Sequence, residues 1–253
     1  MNKATIACCL IFAMILAVLP SFAAEGAPKV IFDQGHGQRF TIGDPGELQF
    51  SKLADTLRAS GITITTVTAP LTDGALKGAA GLVISSAFKP LRPEEVEAVD
   101  RFVHNGGRLA VMLHIAPPLD SLLSRLGIDF SSSVLHERNN VIDSDLNFRV
   151  TDLSTNPLFS GIKSFSAYGV WAIRPGASAI AIARTSPEAW IDLNGDKALS
   201  KGDAVGAFAV VVMGTRGQGE FTVFGDDAIF QNRFMDDNNR KLAANLGTWL
   251  TRH

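Results

Sequence analysis

The chain has 253 residues, 46% of them hydrophobic, with 23 Lys and Arg against 25 Asp and Glu and a formal charge of −2. That length is enough for one large domain or two small ones with an ample core. A near-neutral balance without a run of Lys or Arg argues against nucleic acid or an anionic membrane surface as the main partner.

Lys3, the apolar run Ala4 to Leu19, Pro20 and "SFAAEG" follow the order of a secretory signal, with cleavage expected after Ala23 and a periplasmic or secreted product. The run is short for a bilayer-spanning helix, and no second apolar stretch is long enough to span. Cys8 and Cys9 both fall inside this segment, and neither sits at its end, where a lipid-modified residue belongs. A mature chain of residues 24–253 would lack cysteine, and so disulfides, thiolate metal sites and a cysteine nucleophile. Loss of Lys3 takes the charge from −2 to −3.

From Lys29 the predicted elements alternate. "KVIFD" is a short strand, and "GELQFSKLADTLRASG" carries Leu48, Leu53, Leu57 and a terminal Gly61 as an amphipathic helix would. "ITITTVTA" and "GLVISS" are strands. "RPEEVEAVDRFVHNGG" is a helix with Pro93 near its start and acids in its first turn. "RLAVML" is a fourth strand and "LDSLLSRLG" a third helix. Strands separated by helices of this length imply a parallel sheet covered on both faces.

After Gly127 the pattern changes. Residues 128–185 carry short strand-like pieces ("FRVTDL", "YGVWAI", "SAIAIART") and read as a β-rich insertion in a single domain spanning 24–253. "GAFAVVVMG" and "GEFTVFG" form a hairpin around "TRGQ", and "DNNRKLAANLGTWLTRH" is a closing helix.

In open parallel sheets ligands collect beyond the carboxyl ends of the strands, where three polar clusters should meet. In "DQGHGQRF", Asp33 ends the first strand and two glycines flank His36, exposing the imidazole; the bland reading is a loop with a surface histidine. In "LHIAPP", His114 follows the fourth strand, and its bland reading is a buried histidine satisfied by backbone. In "FGDDAIFQNRFMDDNN", the adjacent Asp226 and Asp227 repel unless a cation, histidine or hydroxylated ligand compensates, and Asn232 lies in the following loop.

The case for catalysis is thin. Ser85 or Ser86 ends the third strand, but no G-x-S-x-G elbow occurs and the glycines it needs are absent there. "GHG" is too short for a dinucleotide loop, no phosphate loop is present, and His36, His104, His114 and His136 lack zinc spacing. No organic cofactor is expected.

"WIDLNGDKALSKGD" has the oxygen-ligand spacing of a calcium loop: Asp192, Asn194, Asp196, the Ala198 carbonyl, Ser200 and Asp203. Lys197 stands where glycine makes the sharp turn, and the flanks are not paired helices, so an ion would staple a loop between strands. The competing reading is a hairpin connection turning at Asn194 and Gly195.

The strand order and the ending "GEFTVFGDDAIFQN...DNNRKLAANLGTWL" resemble the class I glutamine amidotransferase-like superfamily. Within it they look like the non-enzymatic branch of exported bacterial proteins related to gliding-motility accessory proteins and the intraflagellar-transport domain, over residues 29–253. The resemblance implies an α/β fold, three-layer and flavodoxin-like, with a mostly parallel sheet. True members of that superfamily carry a cysteine on an elbow and a late histidine. Here the elbow would fall at "MLHIAPP", with His114 or Ile115 for the cysteine, and the late strand ends in Asp226 and Asp227.

The resemblance therefore implies binding without chemistry. The ligand would be a small molecule, a carbohydrate or an envelope protein, held by Asp33, His36, His114, Asp226, Asp227 and Asn232. The alternative is a hydrolase of a glycan or peptidoglycan-derived substrate using His36 with Asp33 or Asp226. A third reading is a scaffold of an envelope assembly.

Overall fold

A computed structural model describes residues 26–252. The signal segment, its cleavage position, Cys8 and Cys9 lie outside the described residues. The first half of the chain forms β1 (Lys29–Asp33), α1 (Ser51–Ala59), β2 (Thr63–Val67), α2 (Asp73–Leu76), β3 (Gly81–Ser85), α3 (Pro93–His104), β4 (Arg108–Met112) and α4 (Asp120–Arg125). β1 pairs in parallel with β2 on one side and β3 on the other, and β4 pairs in parallel with β3.

Successive residues of these strands serve opposite cores, as the alternation of strand side chains requires. Val30 and Phe32 of β1 join Leu53 and Leu57 of α1, while Ile31 joins Val99 and Val103 of α3. α1 starts at Ser51, later than the apolar spacing from Gly46 predicts. Gly46 to Phe50 turn instead, with Phe50 buried and Leu48 42% exposed. A short 3₁₀ turn, Pro117–Leu119, precedes α4, closed by the Leu119 amide donating to Ala116 O.

The second half adds β5 (Ile128–His136), β6 (Val141–Ser144), β7 (Asn147–Val150), β8 (Asp152–Leu153), β9 (Phe165–Tyr168), β10 (Trp171–Pro175) and β11 (Ala179–Arg184). β12 (Trp190–Ile191), β13 (Ala204–Val205), β14 (Ala209–Arg216), β15 (Gly219–Phe224) and α5 (Asp237–Leu250) complete it. β14 and β15 are the hairpin expected around "TRGQ", closing at Gly217 and Gln218 with Gly217 at φ +61°. β15 then pairs in parallel with β4, so the order β2-β1-β3-β4-β15 is a parallel block. Beyond β14 the sheet continues antiparallel through β10, β5, β12 and β13, with β11 joining β14 and β8, to twelve strands.

The sheet is therefore mixed, and "mostly parallel" describes only the side from β15 to the β2 edge. The reason lies in the connections. After α4 the strands follow one another through short loops, and those cannot make the crossover a parallel neighbour needs. Within 128–185, β5 and β10 enter the main sheet while β6, β7 and β9 form a three-stranded sheet of their own. α1 and α5 cover one face of the parallel block, with Leu242, Leu246 and Trp249 of α5 in the cluster of Val30 and Val83. α3 and α4 cover the other face. Among the described residues no helix is long and apolar enough to cross a membrane.

Candidate functional site

The carboxyl ends of β1, β3, β4 and β15 open on one edge, and the strand order reverses between β1 and β3. That is where a crevice forms in such sheets. The site residues read from the sequence do gather there, but most are committed to one another. His36 is buried, with Nδ1 2.7 Å from Asp33 Oδ2 and Nε2 3.2 Å from Glu95 Oε1. Burial opposes its charge, but hydrogen bonds and charge from Asp33 and Glu95 win and raise its pKa. The loop does not expose this imidazole. As an imidazolium it donates from both nitrogens, so none is free to take a substrate proton.

Glu95 enters from the first turn of α3. Its oxygens accept from Leu71 N, Arg92 N, Arg92 Nε and His36. Burial pushes this carboxyl up, but the backbone N–H groups of Arg92 and Leu71, with the His36 and Arg92 side chains, bring it down to about 2.

The second cluster joins β3, β4 and β15. Asp227 is buried, accepts the Ser86 hydroxyl at Oδ2, and lies 3.1 Å through Oδ1 from His114 Nδ1. Ser86 is fully buried and left-handed at φ +53°. Such a backbone costs a serine about 1–2 kcal/mol and persists only where surroundings hold it. Here the Ser86 amide also donates to Met112 O. The chain thus makes a sharp elbow after β3 without flanking glycines.

His114 is 36% exposed at its side chain. Asp227's hydrogen bond raises its pKa, against burial and the nearby charge of Arg39. Its ring lies 4.9 Å from Phe40 and 5.4 Å from Phe88, centroid to centroid, and Arg39 sits 4.5 Å over the Phe88 ring. Trp171 Nε1 donates to the His114 carbonyl at 3.2 Å. Next to Phe88, Lys89 lines a cavity of about 340 Å³ with Gly35, His36, Thr68 and Arg92.

Asp226 and Asn232 depart from the ligand role read for them. Asp226 accepts Tyr168 N at 2.7 Å and Ala228 N at 2.8 Å, tying β15 to β9. Burial and the neighbouring Asp227 push its pKa well above the usual carboxylate range. Asn232 accepts Lys52 N and donates to Gly46 O and Ser51 Oγ. It fastens the start of α1, which explains where that helix begins. Among the described residues no buried side-chain nitrogen or oxygen lacks a partner.

The Asp192–Asp203 stretch joins β12 to β13 on the far wing of the sheet. Asp192, Asp196 and Asp203 each present a carboxylate oxygen within 4.8 Å of the others. Gly195 is at φ +78°, and Lys197 is also left-handed at φ +62°, so the turn forms at position six despite the lysine. Asp192 accepts from Lys197, Gly195 and Asn194 amides, which hold its pKa down; the Ala198 amide does the same for Asp196. Three carboxylates with the Asn194 and Ser200 oxygens and the Ala198 carbonyl are a donor set that fits a hard divalent cation.

Glu95, Arg39, Phe40, Phe88 and the Ser86 elbow are absent from the sequence-derived site. "QRF" lies within the first quoted loop, but nothing in its spacing shows that it meets His114. A glutamate in a helix's first turn reads as a dipole partner, not as a histidine's.

A family model described as a domain of unknown function (DUF4350) matches residues 43–246. No curated protein sequence matches. Among solved structures, the mmIFT52 N-terminal domain is similar with a TM-score of 0.69 and 17% identity, over 88% of this chain and 98% of that one. A ThuA-like protein from Bacteroides uniformis has a TM-score of 0.54 and 17% identity, over 92% and 95%. A β-galactosidase from Bacillus circulans sp. alkalophilus has a TM-score of 0.54 and 15% identity, over 89% of this chain and 30% of that one. The likeness to an intraflagellar-transport domain expected from the sequence is therefore found, and at these identities it concerns the fold alone.

Proposed function

The chain belongs to the family of domains of unknown function DUF4350, and from that premise we propose that it is an exported, non-catalytic domain that binds a small carbohydrate-like molecule. The observation that carries this reading is His114. One ring nitrogen is held by a buried carboxylate, the other makes no hydrogen bond among the described residues, and the ring stands partly exposed between Phe40 and Phe88. Aromatic walls with one or two oriented polar groups are the usual makeup of a small-molecule site. Binding is favoured over chemistry by the state of the two groups that the sequence offered for hydrolysis, a serine nucleophile and a histidine base. Ser86 is buried with its proton committed to Asp227, and His36 has no free nitrogen.

We further propose descent from the class I glutamine amidotransferase-like group with its three-layer, flavodoxin-like arrangement. The parallel order β2-β1-β3-β4-β15 and helices on both faces support it. The Asp192–Asp203 loop is proposed to hold a calcium ion that braces β12 against β13, supported by the donor set and the left-handed Lys197.

The test is a titration of the protein with a panel of neutral and acidic oligosaccharides, followed by NMR, with analysis of the same mixtures for cleavage products. Binding that perturbs His114 and weakens by about tenfold or more in Phe88→Ala supports the reading. No binding across the panel, or release of products, refutes it.

A further inference from the structure

Resting on the carbohydrate-site reading, we infer that the ligand of the His114 crevice carries an oxyanion, a carboxylate or a phosphate, received by Arg39 and His114. Arg39 is exposed and makes no ion pair among the described residues. Its guanidinium is nonetheless placed, 4.5 Å over the Phe88 ring. An arginine laid flat on an aromatic face keeps its N–H edges free for bidentate pairing with an oxyanion. His114 borders the same ring at 5.4 Å, and Arg39 is near enough to disfavour its protonation.

The groups facing His114 are few. Asp227 comes from the end of β15, Arg39 and Phe40 from the loop after β1, Phe88 from the loop after β3, and Trp171 from β10. The one carboxylate among them, Asp227, is buried, with one oxygen on Ser86 and the other on His114. Among the described residues no carboxylate pairs with Arg39, and Asp227 is turned to its own partners. Lys89, also without an ion pair among the described residues, lines the neighbouring cavity and adds to the positive field. Two cations left unpaired around an oriented imidazole disfavour a cationic ligand and offer nothing to a neutral one that its ester would not also receive.

Calorimetric titration separates the cases. The probes are trigalacturonic acid, its methyl ester, glucose 1-phosphate, glucose and inorganic phosphate, each at about pH 5.5 and about pH 8, where histidine changes charge. The expected result is that the acid binds about tenfold or more tighter than its ester, that Arg39→Gln removes this ratio, and that the ratio narrows at the higher pH. Preference for glucose 1-phosphate over glucose, lost in Arg39→Gln, supports a phosphate as the oxyanion. Equal binding of acid and ester, or an Arg39→Gln variant of unchanged melting temperature that keeps the ratio, overturns the inference and leaves the carbohydrate reading intact. Arg39-dependent binding of inorganic phosphate with no sugar bound upholds the oxyanion and overturns the carbohydrate. Silence from all five probes overturns both.

Discussion

Replacing Glu95 by Gln should destabilise the protein by about 3 kcal/mol at neutral pH. The carboxylate receives four donors, two at each oxygen. An amide turns one oxygen into a donor, so it must face either Leu71 N and His36 or the two Arg92 nitrogens with the wrong polarity. The magnitude follows from the carboxyl's pKa, 4.5 ordinarily and about 2 here. At about 1.4 kcal/mol for each tenfold, the ionised form is favoured in the folded protein by about 3 kcal/mol. Because the folded value is depressed, this contribution is complete above 4.5 and fades as pH falls toward 2. The difference between wild type and variant should shrink over that interval. His36 works in the opposite sense. Its value is raised, so its contribution is complete below 6.5 and is lost as pH rises through the folded value. Without Glu95 that loss should begin at lower pH. Urea unfolding followed by the fluorescence of Trp171, Trp190 and Trp249 measures each point. A loss below about 1 kcal/mol at neutral pH, or parallel acid limbs, would refute the assignment of Glu95 as the anchor of the His36 loop.

Asn232→Ala should cost about 2 kcal/mol in the same unfolding assay, since it strips the Lys52 amide of its acceptor and Ser51 Oγ of its donor, while Gly46 O keeps the Gln49 amide. Asn232→Asp, which keeps the acceptor alone, should fall between. Millimolar calcium should raise the melting temperature, chelator should reverse the rise, and Asp192→Ala should abolish it; an unchanged melting temperature makes the loop a hairpin turn only.

The parts legible in the sequence were those with local causes. β1, β3 and β4 are apolar runs closed by polar or glycine residues, α3 carries Pro93 and two acids at its start, and "TRGQ" sits between two strands that can only fold back. What was hidden depends on partners far along the chain. Glu95 reaches His36 across 59 residues and Asn232 reaches Lys52 across 180, and no periodicity encodes such meetings. The Ser86 elbow escaped for a related reason. Rules for left-handed residues ask for glycine nearby, whereas this one is enforced by Asp227 and Met112. Likewise, exposure was read into His36 from its glycine flanks, yet those glycines let the loop curl inward onto α3.

The place of β15 between β4 and β14 has a kinetic side. β4 ends at Met112 and waits for a strand that begins at Gly219, while α5, the last helix described, supplies Leu242, Leu246 and Trp249 to one face of the same block. A chain growing from its amino terminus can form the local hairpins of the wing early, but its parallel block keeps a bare edge and a bare face until β15 and α5 have been made. Contacts of such long sequence separation form slowly. Folding should therefore resemble the closing of a clasp once β15 and α5 arrive rather than accretion along the way.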